Sequence, residues 1–113
     1  MSQGSAESAV QQAIAAMVRR IVERFHPEKV ILFGSHARGE ATADSDVDLL
    51  VVARSPGTRR ELGLAIDLAL ADIEVPKDVL VVTPEELERD RDIVGTVVHP
   101  AVREGLLLYD RAA

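Results

Sequence analysis

Residues 34 to 52, GSHARGEATADSDVDLLVV, decide the fold. Gly34 and Ser35 open the stretch, Asp46 and Asp48 stand near its end, and the apolar run Leu49, Leu50, Val51, Val52 follows them. In a strand alternate side chains face opposite sides, so a run apolar on both parities predicts a strand covered on both faces and therefore central in its sheet. The same alternation puts Asp46 and Asp48 on one side, at the mouth of a second strand expected over Val47 to Ala53.

Just upstream, Lys29 to Phe33 (KVILF) is short, apolar and stopped by Gly34, which predicts a first buried strand. Residues 36 to 45 are small and polar, a loop with room for one helical turn. Val10, Ile14, Met17, Val18, Ile21, Val22 and Phe25 recur at three- and four-residue steps, the stripe of a long helix that ends before Pro27. Downstream of the central stretch, Ser55 to Thr58 form a turn and Thr58 is the expected N-cap of a helix over 59 to 73. That helix is apolar nearly all round, which predicts burial on two sides, the second by a tight core or by a partner. Lys77 to Thr83 (KDVLVVT) reads as a third strand, Thr83 caps a helix starting at Pro84, and Gly105 to Tyr109 (GLLLY) forms a short last strand. The order implies an α/β (α+β) domain with a three- to four-stranded mixed sheet, helices mainly on one face and the other face left for a ligand.

A chain of 113 residues suffices for one core, so residues 1–113 are expected to form one domain without an internal boundary. It has two Phe, one Tyr and no Trp, which excludes an aromatic platform for stacking bases. The formal charge of −6 argues against bulk nucleic-acid binding, because no net positive field gathers phosphates; a nucleotide arriving with its own divalent cations is not excluded. No cysteine is present, so disulfides, thiolate catalysis and cysteine-ligated zinc are ruled out. No apolar stretch is long enough to span a bilayer and the first residues lack a signal-peptide pattern, so no membrane partner is expected and the location is expected to be cytoplasmic.

Two carboxylates held on one side of a strand repel each other, a cost proteins accept when a cation compensates or a proton is shared. Mg²⁺ is the natural compensation, taking one or two carboxylates and completing its shell with water and substrate phosphates. Gly34 lets backbone approach a phosphate, Ser35 adds a hydroxyl donor, and Arg38 offers a planar cationic fork. Taken singly these features are ordinary: a Gly-Ser after a strand is usually a turn, an Asp-x-Asp at a loop-to-strand junction is usually a cap or solvated, and Arg38 alone is a surface charge.

Together they are specific. Strand-Gly-Ser, ten residues, then Asp-x-Asp opening an apolar strand resembles the signature of the DNA polymerase β-like nucleotidyltransferase superfamily. The fuller string Gly34-Ser35-x-x-Arg38-Gly39 with Ser45-Asp46-x-Asp48-Leu49 resembles its minimal nucleotidyltransferase (MNT) branch, of the antitoxin type found in HEPN/MNT pairs. The likeness extends to the helix before the first strand, to an acid opening a later strand, Asp78, and to the Gly105–Tyr109 ending. It implies the nucleotidyltransferase fold, a two-metal Mg²⁺ site on Asp46, Asp48 and Asp78, and a triphosphate cradle of Gly34, Ser35 and Arg38. Asp78 would also take the proton of the attacking hydroxyl. Without the likeness, Asp78 reads as a strand-end surface charge. His36 lies in a slot that varies in the family pattern and is not expected to be catalytic. His26 and His99, each before a proline, are placed in loops, and Glu85, Glu86 and Glu88 in the first turns of an amphipathic helix.

The resemblance further implies transfer of AMP from ATP, with a HEPN-domain toxin as acceptor and partner. Two alternatives stand beside it: an antitoxin that neutralises its toxin by binding alone, and a stand-alone transferase acting on a small hydroxylated molecule such as an aminoglycoside. The helix over 59 to 73 fits either a homo-oligomer or a partner contact.

Overall fold

The computed structural model describes residues 2–113, with side chains from residue 9 onward. The elements are α1 (Ser2–Phe25), β1 (Lys29–Phe33), α2 (Ser35–Arg38), β2 (Val47–Val52), α3 (Arg59–Ala69), β3 (Lys77–Val82), α4 (Pro84–Asp90), α5 (Val98–Glu104) and β4 (Leu106–Asp110). They build the expected mixed α/β architecture around a four-stranded sheet of order β3-β2-β1-β4. β1 runs antiparallel to β2 and to β4, while β2 and β3 are parallel and joined through α3.

The double-parity run decides the centre. Val47, Leu49 and Val51 point to one face, where Ile14, Met17 and Ile21 of α1 and Ile66 of α3 close over them with Leu70 just beyond that helix. Leu50 and Val52 point to the other, against Leu87 of α4 and Val98 and Ala101 of α5. Leu49, Leu50 and Val51 are fully buried; each such side chain contributes roughly 1.5–3 kcal/mol relative to leaving it in water. The two long helices thus share one face, and two seven-residue helices cover part of the other.

The predicted caps form. Thr58 and Thr83 each accept the N–H of the residue three places on, Glu61 and Glu86, whose carboxylates accept the threonine N–H in return. At the end of α1, His26 takes a positive φ of 50° and its N–H donates to the Val22 carbonyl at 3.1 Å, closing the helix before the buried Pro27. A Cβ on Gly105 would fall 2.2 Å from the Ala101 carbonyl oxygen and 2.7 Å from Ile31 Cγ2, so only glycine lets the chain pass from α5 into β4 against the sheet.

Two expectations need correction. His99 lies within α5 rather than in a loop; a seven-residue helix with a proline in its first turn is too short to show a period. The helix expected over 59 to 73 ends at Ala69; the core of this chain covers one of its sides and leaves the other, with Leu64 60% and Leu68 70% exposed, to the partner alternative. Hydrophobic count alone cannot say which apolar positions the single sheet face will reach.

Candidate active site

The bend after β1 sets the first part of the site. Gly34 adopts φ 76°, ψ −158° and caps α2, its carbonyl accepting the Ala37 and Arg38 N–H groups at 3.1 and 3.2 Å. Gly39, in the left-handed region, ends that single turn. The return loop is held by Thr42 and Ser45, whose backbone and hydroxyl groups bond each other. His36 Nε2 lies 3.3 Å from the Ser45 carbonyl oxygen. Since a carbonyl only accepts, Nε2 carries the proton and the ring ties α2 to the residue before Asp46.

The acids come from the sheet. Asp48 is paired in register with Phe33 of β1 on one side and with Asp78 of β3 on the other. Both carboxylates take the parity of Leu50, Leu80 and Val82, so they lie on the face that α4 and α5 cover farther along, at its open end. Asp46 precedes the strand and is exposed, Asp78 is exposed, and Asp48 is partly buried. Gly34 abuts this group directly: a Cβ there would fall 2.2 Å from Asp48 Oδ2. Its positive φ demands glycine, and a side chain there would also force the Asp48 carboxylate to move.

Electrostatics records the convergence. Asp48's carboxyl is held above its usual range, first by burial and then by the negative charges of Asp78 and Asp46, with His36 and Arg38 pulling the other way. Arg38 is turned toward Glu40, its Nε donating to Oε1 at 2.8 Å. That hydrogen bond raises the guanidinium pKa, and the fields of Glu104 and Asp48 add to it. Glu40 and Glu104 were not singled out as neighbours of the site in the sequence. Glu104 arrives on α5, a helix without a legible period.

The three acids offer only oxygen donors, as a hard divalent cation requires, and the bare Gly34 backbone leaves the flank of Asp48 unobstructed. By donor chemistry the residues fit Mg²⁺. Among the described residues no three carboxylates or imidazoles are close enough as they stand to hold an ion; the acids share a face and an edge rather than a closed cage.

Residues 15–106 match the family model of the nucleotidyltransferase domain. This chain belongs to that family. The protein adenylyltransferase MntA of Thermococcus cleftensis is 43% identical to it over 42 residues, covering 37% of this chain and 42% of the relative. A Methanocaldococcus jannaschii protein, assigned the same activity provisionally, is 41% identical over 46 residues, covering 41% of this chain and 44% of its own. The aligned stretches thus span less than half the length of either relative. Among solved structures, one described as a nucleotidyltransferase from Sulfolobus solfataricus superposes with a TM-score of 0.65 at 22% identity, covering 95% of this chain and 87% of that one. A toxin–antitoxin structure with AMP-PNP superposes with a TM-score of 0.50 at 22% identity, covering 88% of this chain and 72% of that one. The first of these shows the nucleotidyltransferase fold. No described helix is long and apolar enough to cross a membrane.

Proposed function

We propose that this nucleotidyltransferase domain is a Mg²⁺-dependent protein adenylyltransferase that moves AMP from ATP to a hydroxyl of a HEPN-domain toxin. One observation carries the chemistry: Asp48 and Asp78 are register partners on adjacent parallel strands, on one face, beside a positive-φ glycine whose missing side chain leaves room for the Asp48 carboxylate. Support for a protein acceptor comes from the name of the Thermococcus relative, and for a HEPN partner from the motif string of residues 34 to 49.

Asp46, Asp48 and Asp78 would hold the metal, which when bound neutralises the triphosphate and the leaving pyrophosphate. The rest falls to the chain. Gly34 admits the triphosphate close to backbone, Ser35 donates its hydroxyl to a phosphate oxygen, and Arg38 exchanges Glu40 for phosphate. The acceptor oxygen attacks the α-phosphorus, the bond to pyrophosphate breaks, and the exposed Asp78 takes the hydroxyl proton.

The test is incubation with Mg²⁺ and α-labelled ATP, in separate reactions with a HEPN-domain toxin and with an aminoglycoside, for the native protein and for Asp46→Asn/Asp48→Asn. Label on the toxin that vanishes in the variant supports the transferase. Neutralisation of the toxin without label in either protein would mean an antitoxin that acts by binding alone, and label appearing only on an aminoglycoside would mean a small-molecule transferase.

A further inference from the structure

Outside the site, α3 carries a glycine that folding does not explain. Gly63 sits inside an eleven-residue helix, where glycine weakens the helix relative to alanine. A Cβ there would meet only Val81 Cγ2 at 3.8 Å, an ordinary contact, so neither the backbone nor the core calls for its absence. Beside it, Leu64 and Leu68 stand largely in solvent. A groove of about 640 Å³ runs between α3 and the edge strand β3, and Arg60, Gly63, Leu64 and Asp67 line it together.

The charges on this face are arranged to match their own inverse. Arg60 lies three residues before Gly63, and Asp67 lies three residues after Leu64. Both are exposed, and neither makes an ion pair among the described residues. We propose that this face docks a second copy of the chain, with the two α3 helices crossing antiparallel about a two-fold axis between Gly63 and Leu64.

In that arrangement Leu64 of each copy seats over Gly63 of the other and Arg60 meets Asp67. The missing side chain at Gly63 lets the helix axes approach to the short end of normal packing distances. A symmetric contact requires a self-complementary patch, and a helix face with Arg at one end and Asp at the other supplies it; an unrelated partner has no need of that symmetry. The patch is locally neutral although the chain carries −6, so docking escapes most of the repulsion between copies. α3 lies on the face opposite Asp48, and the site stays open in the dimer.

The experiment is sedimentation equilibrium of the full chain over a concentration series, with circular dichroism to confirm folding. The native protein is expected to form a reversible dimer. Arg60→Asp and Asp67→Arg each place like charges across the axis and should weaken it by about tenfold or more, while an equimolar mixture of the two restores a heterodimer, because every pair is again of opposite sign. Gly63→Ala should weaken the dimer while raising the thermal midpoint of the dilute monomer, opposite signs that a merely structural glycine would not give. A native protein monomeric at every concentration overturns the proposal. So does a dimer indifferent to both charge reversals, which would put the contact elsewhere, for instance on the exposed Leu106–Leu108 edge, or a mixture that fails to re-associate.

Discussion

At the trailing end of β2, Arg54 reaches Glu28 at 3.4 Å and Glu85 at 2.5 Å, and Arg111 lies 3.8 Å from the same Glu28 while donating to the His26 carbonyl at 3.1 Å. At the leading end of the same strand, Asp48 faces Asp78 and Asp46 with an arginine committed to Glu40. One end has two charges of each sign, drawn from the entry to β1 and the exits of β2, β3 and β4. The other gathers carboxylates on one edge. Their titration runs in opposite directions: the hydrogen bond from Arg54 lowers the Glu85 pKa, whereas burial and neighbouring acids raise that of Asp48. Charges that tie the ends of the sheet are matched, and charges kept for chemistry are left to repel until a ligand balances them.

The strongest way to break this contrast is Asp48→Asn. A carboxyl whose pKa is raised in the folded state costs stability once it ionises: the cost is nil below the ordinary carboxylate range and complete above the folded pKa. Removing the charge should therefore raise the thermal midpoint at neutral pH while nucleotidyl transfer falls on the order of 10³-fold, the scale of losing a group that stabilises transition-state charge. A midpoint that drops, with transfer surviving, would put Asp48 among the structural charges.

Gly34→Ala strikes the same end through geometry. The substitution places a Cβ on Asp48 Oδ2 and requires alanine at φ 76°, at a cost of about 1–3 kcal/mol in urea unfolding. Part of that cost comes from the carboxylate, so it should shrink in an Asp48→Ala background, whereas a purely backbone penalty would not change. At the trailing end Thr83→Ala removes the cap of α4 and should lower stability by about 1 kcal/mol without affecting transfer. Loss of transfer there would mean that the two ends are coupled.

The leading end was legible in the sequence because its information is local. Gly34, Asp46 and Asp48 fall within fifteen consecutive residues, and strand parity places both acids on one side without any knowledge of the fold. Asp78 came within reach only through the family resemblance; its exact register with Asp48 depends on how β3 docks in parallel on β2, which no local pattern encodes. The trailing end was not legible at all. Glu28, Arg54, Glu85 and Arg111 are strewn along the chain, and each alone is an ordinary surface charge. The open side of α3 was legible only in part, for the converse reason: its apolar content was plain, but whether the chain's own core or a partner covers its second side is a property of packing.

The smallest expected effect separates the two ends by pH. Arg54→Met keeps the length of the side chain and deletes its charge, leaving Glu28 and Glu85 without their shared partner. Arg54 and Glu85 are largely exposed and screened by solvent and Glu28 is half-buried, so the midpoint should fall only slightly at neutral pH and the difference should fade with added salt. The sign of the pH dependence is fixed by Glu85. Its folded pKa lies below the ordinary value of 4.5, so its contribution is present above that value and is lost as pH falls through the folded pKa. Native protein and Arg54→Met should therefore differ at pH 7 and converge in acid, while native protein and Asp48→Asn, which differ in the opposite sense at pH 7, converge there too for the reverse reason. If the Arg54 difference instead grows as pH falls, the trailing network is not held by its carboxylates, and the contrast between the ends loses its electrostatic basis.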